Sequence, residues 1–249
     1  MLGSASLSAA SAALRVASLD LCADEYLLLL ARPEEIASVS RVAQDPADSV
    51  LWRQARRYPA NRKELDSVIG TRPKMLLTMG GGGRATGMIA ERLNIRTLKL
   101  VYPASIGEVE ANMVRVALAL GDARRADGWR RRLARIKASP LPQRDTIFLS
   151  GGGTSMSATS LGAQWMAVAG FRQRSLAGGR ASLETLATRP PAILLRSTYR
   201  RNQPSLGQQW LGHPLARRSS ARTIDTDGRP WTCSGPMMVW EIERLRGLR

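Results

Sequence analysis

Apolar residues along this chain fall into short runs bounded by turn residues, and the runs alternate with segments of helical period. Val16-Ala17-Ser18-Leu19, Ile36 to Ser40, Met75 to Met79, Thr97 to Val101, Thr146 to Leu149, Ile193 to Arg196 and Arg222 to Asp225 read as strands. Most are too continuously apolar for a one-sided sheet and suit strands buried on both faces, as in parallel sheets. Between them, Ala23 to Ala31, Ala85 to Leu93, Leu161 to Ala169 and Pro236 to Leu248 read as helices, with a short one at Ser205 to Leu211. Residues 41–61 read as a long irregular loop carrying Arg41, Asp45, Trp52, Arg56, Arg57 and Tyr58. Strand and helix alternate throughout, which predicts α/β architecture with parallel sheets.

One unit of this pattern occurs twice. Leu65-Asp66-Ser67-Val68 leads through Pro73 into Met75-Leu76-Leu77, and Leu183-Glu184-Thr185-Leu186 leads through Pro191 into Ile193-Leu194-Leu195, at a constant offset of 118 residues. Each copy is a short helix with an acid near its start, a proline that ends it, and a buried strand. A unit repeated half a chain apart predicts two similar Rossmann-like lobes with a ligand cleft between them. Midway, Ser105-Ile106-Gly107-Glu108 has capping-box form, and Ile106, Val109, Met113, Val116 and Leu120 follow at helical spacing. Gly121 stops that helix, and Asp122 opens another running to about Lys137. Its apolar stripe is Trp129, Leu133 and Ile136, with Arg124, Arg125, Arg130, Arg131, Arg132 and Arg135 around it. This second helix is the expected connector between lobes, and its arginines read as a solvated face. The resulting division is a leader at 1–14, an N-terminal lobe at 15–104, a helical segment with the connector at 105–138, and a C-terminal lobe at 139–249.

Composition narrows the function. A hydrophobic fraction of 44% supports a real core, while a net charge of +17 favours anionic partners. Two cysteines and one histidine exclude a disulfide-dense scaffold, a four-cysteine zinc site and a Ser-His-Asp triad. No apolar run is long enough to span a membrane. Residues 1–14 are rich in Ser and Ala, and Ala10-Ser11-Ala12 has the small-x-small form of a cleavage site. Without a basic start or an apolar run they do not form a complete signal peptide. They read as the tail of one, as a cytoplasmic leader or as cloning residue.

Open α/β sheets bind ligands at the C-terminal ends of their strands. The loops there supply Cys22, Arg41, Trp52, Gly82, Arg84 and Tyr102 from the first lobe, and Gly152, Thr154, Tyr199, Arg200, Trp231 and Cys233 from the second. Arginines among aromatics suit a large anionic or conjugated ligand. Cys22 and Cys233 face one cleft as free thiols, as a disulfide or as ligands to a chelated metal. Free thiols are the preferred reading, because a crosslink would resist opening. The Gly80-to-Gly83 loop lacks the Lys-Ser/Thr of a phosphate loop, and reads as a close-approach loop or a plain tight turn. Read as an anionic-cofactor loop with Arg84, it would make the chain an α/β enzyme. The arginine helix would make it a nucleic-acid binder, but no nucleic-acid motif accompanies it, and none is expected as a partner.

Several stretches resemble the substrate-binding proteins of ABC importers for ferric siderophores and cobalamin. They are Arg15-Val16-Ala17-Ser18-Leu19 before Cys22-Ala23-Asp24-Glu25, Pro33 to Ser40, and Trp231-Thr232-Cys233-Ser234-Gly235-Pro236, together with the two acid–Pro–strand units. The resemblance spans about residues 15–248. It implies two lobes joined by one long α-helix, a metal chelate bound between them, periplasmic location, delivery to a membrane permease, a monomer, and neither catalysis nor a resident cofactor or protein-held metal. It also implies permease docking through Asp66 and Glu184, two carboxylates at equivalent helix starts that set orientation. His213, in Gly212-His213-Pro214, is structural in this reading. The basic charge favours an anionic ferric siderophore over a corrinoid.

Overall fold

The computed structural model describes residues 14–80, 83–150, 152–199 and 206–248. The leader up to residue 13, Gly82 and Arg200 lie outside these residues. The first lobe runs β1 (Val16–Ser18), α1 (Leu21–Leu30), β2 (Ile36–Ser40), α2 (Trp52–Ala55), β3 (Ala60–Asn61), α3 (Asp66–Ile69), β4 (Met75–Thr78), α4 (Gly83–Arg92) and β5 (Arg96–Lys99). Then come α5 (Ile106–Ala119) and α6 (Asp127–Ala138). The second lobe runs β6 (Arg144–Leu149), α7 (Leu161–Val168), β7 (Phe171–Gln173), α8 (Leu183–Thr188), β8 (Ile193–Thr198), α9 (Pro214–Arg217), β9 (Arg222–Asp227), α10 (Gly228–Cys233) and α11 (Met238–Arg246).

Each lobe holds one parallel sheet, ordered β3-β2-β1-β4-β5 and β7-β6-β8-β9. Drop β3 and the two orders coincide, with β4 and β8 in the same place, so the 118-residue repeat is a repeat of topology. β1, β2 and β4 are buried at every position, as their unbroken apolar runs predict. The extra strand β3 corrects the expected irregular loop at 41–61. That segment contains a 3-10 turn at Arg41–Gln44, α2 and the edge strand β3. Its anchor is one buried amide: Asn61 Nδ2 donates to the Ser18 carbonyl at 2.8 Å and to Ser38 Oγ at 3.0 Å. A single side chain satisfying two buried acceptors leaves no periodic trace in the sequence.

Ser105 caps α5 by accepting the Glu108 amide at 3.2 Å, and Glu108 reaches back to the Ala104 amide at 2.7 Å. The expected single long connecting helix is shared between α5 and α6, of 14 and 12 residues, with a 3-10 turn at Ala123–Ala126 between them. One large core joins α1 and α5 of the first lobe to α6, α7 and α11, and includes Tyr26, Met113, Trp129, Trp165, Phe171 and Ile242. The indoles that cross it are satisfied. Trp129 Nε1 donates to the Pro236 carbonyl and Trp165 Nε1 to the Ser234 carbonyl, both at 2.9 Å.

Of the connector arginines, Arg124, Arg125, Arg130 and Arg132 are engaged in ion pairs. Arg130 meets Glu110 at 2.8 Å, Arg132 meets Glu243 at 3.1 Å, and Arg125 meets the buried Glu35, with Nη2 at 2.9 Å from Oε1. Burial pushes the Glu35 carboxyl up, but hydrogen bonds from Arg125 and Arg32 more than reverse this and hold it at about 2 against its usual 4.5. A depressed carboxyl stabilises the fold above its unfolded value, and that contribution is lost as pH falls through the folded one. Arg125→Ala is therefore expected to cost about 3 kcal/mol near neutrality by leaving Glu35 buried with Arg32 alone. The deficit should shrink as pH falls toward 2. Chemical denaturation of both proteins between pH 2 and 7 measures it, and a deficit independent of pH would refute the assignment.

Candidate interlobe site

All strands of a parallel sheet end on one side, and the contacts between lobes show that those sides face each other. Cys22, in the first turn of α1 after β1, is bonded to Cys233 at the end of α10 after β9, with Cα atoms 5.4 Å apart. Arg229 of α10 reaches across to the first lobe, where its Nη1 donates to the Pro46 carbonyl at 3.0 Å and the Ser49 carbonyl at 3.3 Å. The Asp227 carboxylate holds the guanidinium from behind, at 2.6 Å from Nη2. On the other flank, Gln164 of α7 donates to the Ala104 carbonyl at 2.9 Å and accepts from the Ile106 amide at 3.3 Å.

The crosslink overturns the free-thiol reading of Cys22 and Cys233. The pair also cannot ligate a metal while bonded. A crosslink resists opening, so the cleft is stapled at one point. Trp231 is likewise corrected: it is not a lining residue. Its ring packs in the core with its centroid 5.0 Å from that of Phe148, and its Nε1 donates to Thr226 Oγ1 at 2.8 Å.

Among the described residues, each remaining candidate has its own local setting. Arg41 lines a groove of about 490 Å³ within the first lobe, together with Gln44, Asp45, Asp48 and Arg56. Trp52 sits against Arg53 and Arg56, whose guanidinium carbons lie 4.4 and 4.7 Å from its ring centroid. Arg84 lines a second groove between α4 and β5. Tyr102 is 68% exposed, and its hydroxyl lies against Gly80, whose φ is +99° and where a Cβ would come within 2.7 Å of that oxygen. Tyr199 lies in the same way over Gly228, and its hydroxyl is 3.1 Å from Thr232 Oγ1. Gly152 has room for a side chain of its own, and the close approach instead demands glycine at Gly207, where a Cβ would lie 2.3 Å from the Gly152 carbonyl carbon. Thr154 is bonded within its own turn to Ser150. Gly80 thus answers to Tyr102, while Gly81 and Gly82 of that loop lie outside the described residues.

Asp66 and Glu184 occupy the first and second positions of α3 and α8, both exposed, and neither forms an ion pair among those of the described residues. In a chain where so many acids are paired with arginine, that leaves two unneutralised carboxylates at matching places on the two lobes. His213 is structural: its Nδ1 accepts the Leu215 amide at 3.2 Å and caps α9.

Residues not among the expected lining hold the ends of the strands and the junction in place. Asp20 caps α1 through the Ala23 amide at 2.9 Å and also accepts the Met79 amide at 2.7 Å, so it ties β1 to β4. Burial raises the Asp24 carboxyl to about 7 against hydrogen bonds from Ser40. Burial also raises its neighbour Glu25 to about 8. An acid-rich helix start after a strand is the available signal for Asp20. For Arg229 there is none beyond its place after β9.

Neither known family models nor curated protein sequences match the chain, but solved structures share its fold. The periplasmic heme-binding protein of Vibrio cholerae superposes with a TM-score of 0.73 at 15% identity, covering 94% of this chain and 98% of that one. The periplasmic heme-binding protein of Roseiflexus sp. RS-1, in apo form, gives 0.69 at 17% identity over 93% and 96%. A periplasmic heme-binding protein from Pseudomonas aeruginosa gives 0.66 at 19% identity over 94% and 92%. The chain therefore has the two-lobed fold of periplasmic binding proteins over nearly its whole length.

Proposed function

We propose that the protein is the solute-binding component of an ABC importer and captures a metal chelate between its lobes for delivery to a membrane permease. The observation that carries this reading is the architecture: two parallel sheets of repeated topology turn their C-terminal strand ends toward each other across a junction. In such sheets those ends are where ligands sit. The full-length likeness to periplasmic heme-binding proteins supports the chelate class and a periplasmic location. The disulfide supports an oxidising compartment as well. No helix among the described residues is long and apolar enough to cross a membrane, and the reading requires none in this chain. The protein binds rather than catalyses. Its working steps are capture, limited closure and docking, the last through Asp66 and Glu184.

Within the chelate class, ferric siderophores, corrinoids and heme are the candidates. Heme joins the first two because it is the ligand named for the three superposed proteins. Thermal unfolding of the full chain against heme, ferric hydroxamate and catecholate siderophores, cobalamin and free nucleotides separates them. A chelate at about a hundred times its dissociation constant adds roughly 2.7 kcal/mol, a shift of several degrees for a chain of this length. Stabilisation by one chelate class is the expected result. Stabilisation by a nucleotide with silence from every chelate would transfer the chain to the enzyme reading.

A further inference from the structure

The disulfide has a companion that the transport reading does not use. Cys22 is the second residue of α1, and Glu25 follows three residues later, on the same side of the helix. The Glu25 side chain is buried, at 6% exposure, and its Oε2 has no hydrogen-bond partner. That oxygen points at Gly235, two residues beyond Cys233. A Cβ built on Gly235 would stand 2.8 Å from Glu25 Oε2 and 3.7 Å from Cys233 Cβ, so carboxyl and crosslink flank one small space. Both cysteines are half-buried, neither sealed in the core nor fully open. Structural disulfides have no need of a buried acid with an unpartnered oxygen beside them, and such an oxygen is costly unless it has work to do.

We propose that Cys22–Cys233 is a reversible redox site at the lobe junction, opened by a dithiol reductant, with Glu25 delivering the proton to the departing Cys22 sulfur. The reductant's thiolate attacks Cys233 Sγ. The disulfide bond breaks with its electron pair going to Cys22 Sγ, at the first turn of α1, where helix amides lack acceptors along the helix. The Glu25 carboxyl protonates that sulfur and becomes a carboxylate, later reprotonated from water. The reductant's second thiol then displaces Cys233, giving up its proton to it. Two electrons pass, two protein thiols form, and the reductant leaves as its own disulfide. Opening the crosslink removes the covalent tie between α1 and α10. Arg229 and Gln164 then remain as noncovalent ties.

Burial raises the Glu25 carboxyl to about 8, against the Met237 amide that faces it, so the acid is protonated and able to donate at neutral pH. Its titratable neighbours on α1 are Asp24 and Tyr26, both buried, and the 234–237 segment packs over it with that amide. Proton delivery is present below about 8 and fades as pH rises through it.

The test is reduction of the native full chain by dithiothreitol, quenched by alkylation at intervals and counted by mass, for the wild type and Glu25→Gln. Rates are taken relative to oxidised glutathione at each pH, which cancels ionisation of the reagent. The expected result is reduction without denaturant. The wild-type rate should exceed that of Glu25→Gln by roughly tenfold or more at pH 6.5, with the excess vanishing above pH 9. A crosslink that resists dithiothreitol until the protein is unfolded would overturn the proposal, and so would equal rates at every pH. If Glu25→Gln does not fold, the wild-type rate relative to oxidised glutathione decides alone: a fall through pH 8 supports the role of Glu25, and a flat profile refutes it.

Discussion

Removing the Cys22–Cys233 crosslink should lower the stability of this protein more than any single side-chain truncation at its surface. The two cysteines are 211 residues apart. Closing a loop of that length in the unfolded chain corresponds, by chain entropy, to about 5 kcal/mol, and strain or residual unfolded structure brings measured values to roughly 2–5 kcal/mol. For a chain of this size, each kcal/mol moves the midpoint by about 2–4 °C. The Cys22→Ser/Cys233→Ser double variant should therefore melt some ~5–15 °C below the oxidised wild type. Reduced wild type should match the double variant. Calorimetry of the three forms measures it. Equal midpoints would mean that the lobe junction holds through its core, Arg229 and Gln164, with the disulfide contributing nothing to folding. The same variants bear on function. A cleft stapled beside α1 moves less, so the untied protein should release a bound chelate faster even where its equilibrium affinity changes little.

The second large effect is expected in transport. Replacing Asp66 and Glu184 together by Lys should abolish uptake of the chelate while leaving its affinity for the isolated protein unchanged. Both carboxylates are exposed at matched helix starts, and no ion pair among the described residues neutralises either of them. Opposed charges at a docking surface steer the encounter and set its orientation, and like charges placed opposite each other cost several kcal/mol. Each single reversal should reduce uptake partially, because one point of attachment survives. Uptake assays in cells carrying the cognate permease, paired with ligand titration of purified variants, separate docking from capture. Normal uptake by the double variant would remove these residues from the interface. Loss of ligand affinity would place them in the cleft instead.

Much of the architecture could be read in one dimension because it is written in local rules. The strands at Ile36 to Ser40 and Met75 to Thr78 lie where continuous apolar runs predict them, since a strand buried on both faces has no polar positions to interrupt it. Ser105 caps α5 as its spacing to Glu108 requires. Trp129, Leu133 and Ile136 are the buried stripe of α6. The 118-residue offset between Pro73 and Pro191 anticipates two sheets of the same order. The strand β7 at Phe171–Gln173 escaped notice because three residues carry too little pattern, and β3 because its two residues depend on Asn61 finding buried acceptors. The C-terminal helix expected at Pro236 to Leu248 is α11, and the separate α10 before it, ended by Ser234 at a φ of +46°, carries too few residues for a periodic signal.

The candidate site was less legible, and the reason is physical. Strand ends identify which residues lie at the cleft side of each sheet, but not which of them turn inward. Trp231 follows β9 as a lining residue would, yet its ring packs against Phe148 in the core. Arg229, two residues earlier, crosses to the other lobe because Asp227 aims it.

The sequence by itself determined the α/β class, the parallel strands, the doubling of the lobe and the positions of Asp66 and Glu184, all consequences of period, capping and proline placement within some twenty residues. Only the tertiary structure decided that Cys22 meets Cys233, that Glu25 is buried beside them, and that Arg229 joins the lobes. Those contacts depend on how one sheet is set against another across more than two hundred residues, and no local periodicity records that geometry.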